Sequence, residues 1–280
     1  MAFTICGDIF RQSVSRRVLL RSGTAIAALG LVPRWTFGID PLPCPELYAF
    51  RAPDSPKTVI GLSIPTDRAP FAITNVRIHV GTKTWSTDVR NLARTQFSDD
   101  NHVRIFAGTG MQEMRFVDVV VLELDACGLP ATPTFDVWAE ISGGEKQRRR
   151  IGNPIVAALV RCDRELERVY QRISPADDRA VLAPVITRII TERAKRLGIA
   201  SDPDAYAHRL VDVILPDVIK LKPASPLGFT YASQNGRHPA ENTAEIVRTL
   251  LGASLLPVIH ERVTMPLDRF PYLISPTELA

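Results

Sequence analysis

The sequence predicts an α+β fold, in which helices from the C-terminal half of the chain pack on an antiparallel, β-sandwich-like core. Between about residues 45 and 160, apolar side chains recur with a period of two, in short segments bounded by Pro, Gly, Asn or Asp. From about residue 163 the period becomes helical. Because no helical stretch interrupts the first part, antiparallel strands are favoured over βαβ units.

Segments rich in β-branched and aromatic residues are predicted to be strands. They are Thr58–Ile64, Thr74–Val80, His102–Ala107, Val117–Leu124 and Thr134–Ile141. The second alternates apolar and polar residues, as expected of a strand with one buried face. Val117–Leu124 is almost continuously apolar, which indicates a central strand with Val119 and Val121 inside the sheet. Phe135 or Trp138 is expected in the same core.

The helical period predicts helices in the second part of the chain. They are Asp163–Ile173, Asp177–Leu197, a helix from Pro203 to about Leu215, and Ala240–Leu251. Gly198 is a suitable left-handed C-cap, and Asp202 is a suitable N-cap before Pro203. The apolar stripes expected to cover the sheet consist of Ile186 and Ile190 on one helix and of Leu210 and Ile214 on another. The last 25 residues are expected to lie along the surface.

The first 38 residues are typical of an export signal. Arg16 and Arg17 precede a short apolar run, Gly23–Val32, and paired arginines indicate the twin-arginine route for folded proteins. The run has about half of the ~20 apolar residues that a membrane-spanning helix needs. We therefore divide the chain into a signal segment, residues 1–38, and a single β-rich domain, residues 39–280, with a helical C-terminal half.

The signal predicts a periplasmic or extracellular protein, and the export machinery is the one partner that the sequence indicates. A retained signal would form an N-terminal membrane tether. No transmembrane domain is predicted in the mature chain.

The charge distribution argues against nucleic-acid binding. Residues 1–38 hold five arginines and one aspartate, which accounts for the whole net charge of +4. The remaining 242 residues carry 29 basic and 29 acidic groups. The mature protein therefore has no overall field that would attract DNA, RNA or an anionic membrane surface.

The mature chain retains three cysteines, and an exported protein can form disulfides. Cys44 and Cys127 are the disulfide candidates because one precedes the first predicted strand and the other follows Val117–Leu124. The alternative is that these two and Cys162 are unpaired thiols. No C-x-x-C spacing supports zinc or thioredoxin-like chemistry.

A weak metal-site hypothesis rests on His79 and His102, which lie in predicted strands that could be neighbours, and on Asp99 and Asp100 just before His102. An imidazole pair with carboxylates suits zinc or iron. The alternative is an ordinary polar strand face followed by an Asp-Asp-Asn turn. The dense basic run Lys146–Arg150 is interpreted as a solvated hairpin edge.

The sequence has neither the Gly-x-Ser-x-Gly nucleophile elbow of an α/β-hydrolase nor a nucleotide-binding fingerprint. The sequence predicts no catalytic residue and does not identify a cofactor.

Short motifs follow one another between about residues 45 and 275. They are Leu47–Phe50, Pro53-Asp54, Ile105–Gly108, Arg150–Pro154, Leu215–Val218, Ser225–Phe229, Asn235–Arg237, Leu250-Leu251 and Arg269–Leu273. In content and order they resemble the domain of unknown function 4331 family of bacterial exported proteins. The resemblance implies export and a β-rich fold, and it supplies no reaction.

This chain would be a divergent member of that family. Glu46 stands near the place where the family has an aspartate, and Thr109–Phe116 replaces an acidic stretch. If those polar positions hold a metal or ligand in other members, this chain has lost much of that site.

Together these observations favour a non-enzymatic binding or interaction module of the cell envelope. One alternative is an exported protein that holds a metal or cofactor, since folded export allows insertion before transport. The other is a hydrolase acting on envelope material.

Overall fold

The computed structural model describes residues 45–66, 72–88, 96–100, 102–112, 115–144, 147–160, 164–231, 233–252 and 267–276. The predicted signal segment with Arg16 and Arg17 lies outside the described residues, as do Cys44 and Cys162. Within the described ranges, every helix is too short or too polar to cross a lipid bilayer.

The described chain divides into two compact units, which we call the β unit and the helical unit. The β unit contains residues 45–154, 217–246 and 267–276, and the helical unit contains residues 155–216 and 247–252. The β unit is thus assembled from three separate stretches of the chain. The single domain from residue 39 onward stays a prediction.

Strands account for most of the β unit. Their bounds are β1 (Glu46–Arg51), β2 (Thr58–Pro65), β3 (Asn75–Val80), β4 (Lys83–Asp88), β5 (Gln96–Asp100), β6 (Val103–Gln112), β7 (Arg115–Leu124), β8 (Phe135–Gly143), β9 (Gln147–Ile151), β10 (Ile219–Leu221), β11 (Gly228–Phe229), β12 (Gln234–Asn235) and β13 (Ser275–Pro276).

The described strands form two sheets. Sheet A has the order β1-β2-β7-β6-β13, with β5 also paired to β6. Sheet B has the order β11-β12-β10-β8-β3-β4, with β9 also paired to β8. Their pairings are antiparallel, except that β10 and β12 run parallel.

The main core lies between the two sheets. Its members include Leu47, Ile60, Leu62, Leu122 and Leu124 from sheet A, and Ile78, Phe135, Val137, Ala139, Ile141 and Leu221 from sheet B. Both sheets turn one apolar face toward this core, which is the packing of a β-sandwich. The predicted fold class is therefore confirmed: the protein is α+β, with an antiparallel, sandwich-like β core and helices in its C-terminal half.

A second core covers the opposite face of sheet A. Val119 and Val121 of β7 lie there, fully buried, together with Phe106 of β6. The C-terminal stretch Tyr272–Ile274 packs on the same face and is also buried. The expectation that the last 25 residues lie along the surface is wrong for this stretch, because its side chains seal the second face of a central sheet.

Helices occupy the C-terminal half. Their bounds are α1 (Pro154–Val160), α2 (Arg164–Tyr170), α3 (Asp178–Val181), α4 (Ala183–Leu197), α5 (Pro203–Ile214) and α6 (Thr243–Leu250), and a 3₁₀ turn spans Pro175–Asp177. The predicted helix Asp177–Leu197 is interrupted at Leu182, where Pro184 enters the first turn of α4. Proline lacks the N–H that a continuous helix would require.

The predicted caps are present in the helical unit. Gly198 ends α4 in the left-handed region, with φ of 60°. The carboxylate of Asp202 accepts a hydrogen bond from the Ala205 amide at 2.9 Å, and Pro203 follows it at the start of α5. The two helices contact each other, and their apolar stripes are buried. The buried stripe residues are Ile186 and Ile190 on α4, and Leu210 and Ile214 on α5.

Every predicted strand is present, and β6 extends beyond its predicted end, to Gln112. The sequence reasoning missed β1, β4, β5 and β9, as well as the short strands β10–β13. Most of β4 and β9 is polar, and β9 lies in the basic run, where it pairs along β8. Backbone pairing, not an apolar pattern, defines these strands.

Candidate functional site

The outer face of sheet B carries a polar cluster. Since Ile78 and its apolar neighbours in β3 point to the core, Arg77 and His79 point outward. The register places Glu140 opposite Arg77, and Trp138 opposite His79, on β8. Arg148 of β9 pairs with Ser142, which lies on the same face. We call Arg77, His79, Trp138, Glu140 and Arg148 the Trp138 face.

Glu140 lies at the centre of this face. Arg77 Nη1 donates to its Oε1 at 3.0 Å, and Arg148 Nε forms an ion pair with its Oε2 at 2.6 Å. The Glu140 side chain is only 9% exposed, whereas those of the two arginines are 53% and 39% exposed. Both carboxylate oxygens are therefore engaged by guanidinium groups that themselves reach the solvent.

His79 is held by stacking and by burial. Its ring lies parallel to the indole of Trp138, with 3.8 Å between the ring centroids and 6° between the planes. The Thr84 hydroxyl lies 2.9 Å from Nδ1, and buried Nε2 lies 3.9 Å from Glu140 Oε1. Burial lowers the pKa of His79, and the positive charges of Arg77 and Arg148 lower it further. The negative charge of Glu140 raises it by less, so the pKa lies below its ordinary value.

A second cluster lies at the end of the β6–β7 hairpin, in sheet A. His102 Nδ1 donates to Asp125 Oδ2 at 2.9 Å, and the thiol of Cys127 lies close to both groups. One potential ligand atom from each residue falls within 4.8 Å of the other two. Cys127 is exposed, and the hydrogen bonds from His102 and from the backbone N–H groups of Gly128 and Cys127 lower the pKa of Asp125.

The structure separates the two predicted histidine ligands. His79 belongs to sheet B, whereas His102 precedes a strand of sheet A, so the expectation that their strands are neighbours is wrong. The backbone of Asp99 and Asp100 lies in β5, but their side chains lie outside the described part of the chain. The Cys44–Cys127 pairing stays a prediction, since Cys44 also lies outside that part.

Sequence reasoning missed Asp125 as a partner of His102. The signal was present in the predicted strands, because His102 stands at the start of one and Asp125 directly follows the end of the next. Antiparallel pairing of those strands brings these two positions together. The Trp138 face had no comparable signal, since its members come from three strands with no shared motif.

Two of the family-like motifs build a buried ion pair in the β unit. Arg150 Nε and Asp217 Oδ2 lie 3.5 Å apart, and both side chains are fully buried. The backbone N–H of Asn153 donates to Asp217 Oδ1 at 2.6 Å, and a Cβ on Gly152 would clash with the Asp217 carbonyl oxygen. This ion pair is therefore a structural contact inside the fold and not part of a surface site.

Arg237, in the Asn-Gly-Arg motif, is also an interior group. Its guanidinium donates to Glu46 Oε1 at 2.9 Å, to the Leu47 carbonyl at 3.2 Å and to the Thr243 hydroxyl at 3.1 Å. It also lies 4.8 Å from the ring centroid of Tyr48. Here too the motif residues hold distant segments of the chain together.

No protein-family model matches the chain, and neither the curated proteins nor the solved structures include a significant match to it. The resemblance to the domain of unknown function 4331 family stays a hypothesis. The features that bear on function are therefore the two polar clusters.

Proposed function

We propose that the protein is an exported, non-enzymatic binding module of the periplasm or the cell exterior, and that its ligand surface is the Trp138 face. The observation that carries the proposal is an ion-paired cluster with two exposed guanidinium groups beside a half-buried tryptophan, on the outer face of sheet B. Such polar groups around an aromatic ring are typical of recognition surfaces.

The hydrogen bonding of the Trp138 face supports binding over catalysis. A general acid or base must present a titrating atom to the substrate. Glu140 uses both oxygens in ion pairs, and His79 has one nitrogen beside Thr84 and the other buried. Neither residue offers an accessible atom for proton transfer.

The charges of the Trp138 face favour an acidic glycan as the ligand. With His79 neutral, two arginines against one glutamate leave a local charge of about +1. A guanidinium has five N–H donors, and the contacts to Glu140 use one nitrogen of Arg77 and one of Arg148. The exposed donors suit a carboxylate, and the side of the indole that is not covered by His79 suits the apolar face of a sugar ring.

The test is a binding titration of the purified protein with oligomers of glucuronic acid, with uncharged glucose oligomers of equal length as the comparison. We expect the acidic oligomer to bind, and higher salt to weaken its binding. Arg77→Gln and Trp138→Phe should each weaken binding about tenfold or more, as expected for loss of a charge-assisted or stacking contact.

Trp85→Phe is the matched control, since Trp85 packs against the core side of the same sheet. It should leave the affinity unchanged. Equal affinity for the charged and uncharged oligomers, or equal binding by the Trp138→Phe and wild-type proteins, would contradict the proposal.

Export is tested separately. Replacing Arg16-Arg17 with Lys-Lys should retain the protein in the cytoplasm with its fold intact, because the twin-arginine route depends on the arginine pair. Cell fractionation that finds the variant in the periplasm would overturn this route.

A further inference from the structure

We propose that His102, Asp125 and Cys127 bind a divalent metal ion of the zinc class at the open end of the β6–β7 hairpin. The three side chains supply one nitrogen, one oxygen and one sulfur ligand. This combination of imidazole, carboxylate and thiolate is the donor chemistry that zinc uses in proteins. The proposal is independent of the Trp138 face, which belongs to the other sheet.

The β ladder places two of the ligands. Val103 and Leu124 are the terminal pair of the β6–β7 ladder at this end. The next residues along each strand, His102 and Asp125, are therefore adjacent. The Asp125 amide donates to the His102 carbonyl at 3.2 Å, which continues the ladder by one bond. The backbone therefore places these two residues next to each other before any metal binds.

A tight turn places the third ligand. Asp125 Oδ1 accepts hydrogen bonds from the amides of Cys127 at 2.8 Å and Gly128 at 2.9 Å, which folds the chain back on the carboxylate. Gly128 is needed at this point because a Cβ would lie 2.5 Å from the His102 carbonyl oxygen. Lys83 Nζ anchors the turn by donating to the Gly128 carbonyl at 2.8 Å. The thiol thus belongs to a turn that is bonded to Asp125, directly after β7, and to Lys83 of β4.

The spacing of the ligand atoms is compatible with zinc. Neighbouring ligands on a tetrahedral zinc ion lie about 3.3–3.6 Å apart, given bonds of about 2.0–2.3 Å. The present ligand atoms lie within 4.8 Å, so binding requires a contraction of at most about 1.5 Å. Rotation of the side chains supplies it, since those of His102 and Asp125 are 53% and 36% exposed.

The donor set also selects among metals. Calcium and magnesium prefer oxygen ligands, whereas a thiolate and an imidazole favour the later transition metals. Three protein ligands leave a fourth position, which water or a ligand from solution would fill. Asp125 Oδ1 already accepts two backbone hydrogen bonds, so Oδ2 is the oxygen that would meet the metal in place of the His102 proton.

Metal binding and the predicted disulfide exclude each other. A bond between Cys44 and Cys127 would remove the thiolate that the metal requires. If the protein is exported in the folded state, the metal would be inserted in the reducing cytoplasm before transport. The state of Cys127 in the native protein therefore decides between the two hypotheses.

The first experiment is a calorimetric titration of the reduced, full-length protein with Zn²⁺. We expect one ion per chain, and a loss of affinity of at least about tenfold in His102→Gln and in Cys127→Ser. The matched controls are His208→Gln, which changes an exposed histidine of α5, and Cys162→Ser. Both should bind like the wild type.

The second experiment uses Co²⁺ as a spectroscopic probe. A thiolate-to-metal charge-transfer band should appear in the wild type and in Cys162→Ser and be absent in Cys127→Ser. Zn²⁺ should also protect Cys127 from alkylation. Thermal unfolding without metal should be similar for the wild type, His102→Gln and Cys127→Ser, since both of these side chains are exposed. This measurement separates loss of binding from loss of fold.

Several results would overturn the proposal. They are the absence of Zn²⁺ binding, one-to-one binding that survives both His102→Gln and Cys127→Ser, a Co²⁺ complex without the thiolate band, and recovery of native Cys127 in a disulfide with Cys44.

Discussion

Sheets A and B share one core but differ on their outer faces. Every residue of β2 in sheet A is buried, whereas β3 in sheet B alternates buried and partly exposed residues. The C-terminal stretch Tyr272–Ile274 covers the outer face of sheet A, while the corresponding face of sheet B carries ion pairs and a half-buried tryptophan. The covered face therefore contributes stability, and the polar face is the one suited to a ligand.

The two outer faces also hold their charges differently. On sheet A, Glu123 is almost fully buried, and it accepts hydrogen bonds from Lys57 at 2.7 Å and from the Tyr272 hydroxyl at 2.5 Å. On sheet B, Glu140 is bound by two arginines that reach the solvent. Loss of a contact should therefore be more costly at Glu123 than at Glu140.

The largest expected effect is on the covered face of sheet A. Phe106 is fully buried there, so Phe106→Ala should lower the free energy of unfolding by about 3–5 kcal/mol. Phe116 lies in the same sheet and is 62% exposed, which makes Phe116→Ala the matched control, with an expected change within about 0.5 kcal/mol. Urea titration measures both. Equal destabilisation by the two changes would contradict the second core.

A smaller effect is expected from a single hydroxyl on the same face. Tyr272→Phe removes the hydrogen bond to Glu123, and bonds to a charged group are worth about 1.5–3 kcal/mol. We expect a loss of stability in that range. Tyr231→Phe is the control, since Tyr231 is exposed and the same change should be nearly neutral there. A Tyr272→Phe protein as stable as the wild type would show that the buried contact is not needed.

The smallest expected effect is on the pH dependence of stability, which should differ between the outer faces of sheets A and B. The pKa of His79 in the folded protein lies below 6.5, so its contribution to stability is complete above pH 6.5 and is lost as the pH falls toward the folded value. For Glu123, burial raises the pKa, but the bonds from Lys57 and Tyr272 and the charge of Arg104 outweigh it. Its net pKa lies below 4.5, so its contribution is lost only below pH 4.5.

Stability should therefore fall in two stages as the protein is acidified. His79→Asn should reduce the first stage, although His238, whose pKa burial also lowers, contributes to the same window. Tyr272→Phe should instead alter the second stage. Thermal unfolding at a series of pH values measures both. A first stage that is identical in His79→Asn and wild type would mean that burial of His79 does not affect stability.

The sequence predicts correctly those features that depend on a few adjacent residues. Val117–Leu124 was predicted to be central from its apolar run, and β7 lies between β2 and β6. The caps at Gly198 and Asp202 were predicted because their geometry depends on a few adjacent residues. By contrast, β4 and β9 are mostly polar and were missed, because their conformation depends on a partner strand.

The candidate sites were less accessible to sequence reasoning. His79 and His102 lie in predicted strands that could be neighbours, but the topology assigns them to different sheets. In the cluster of His102, Asp125 and Cys127, the sequence indicates His102 as a metal ligand and Cys127 as a disulfide partner, and it gives no role to Asp125. Only the β6–β7 register shows that they meet.

The sequence by itself determined the α+β class, the change of period near residue 163, the central apolar strand and the helix caps. These features follow from interactions within a few residues or from the periodicity of one segment. The tertiary structure decided that Tyr272–Ile274 covers sheet A, that Arg237 binds near the first strand, and which side chains meet at each cluster. Those outcomes depend on contacts between residues far apart in the chain, and no local pattern records which distant segment supplies the partner.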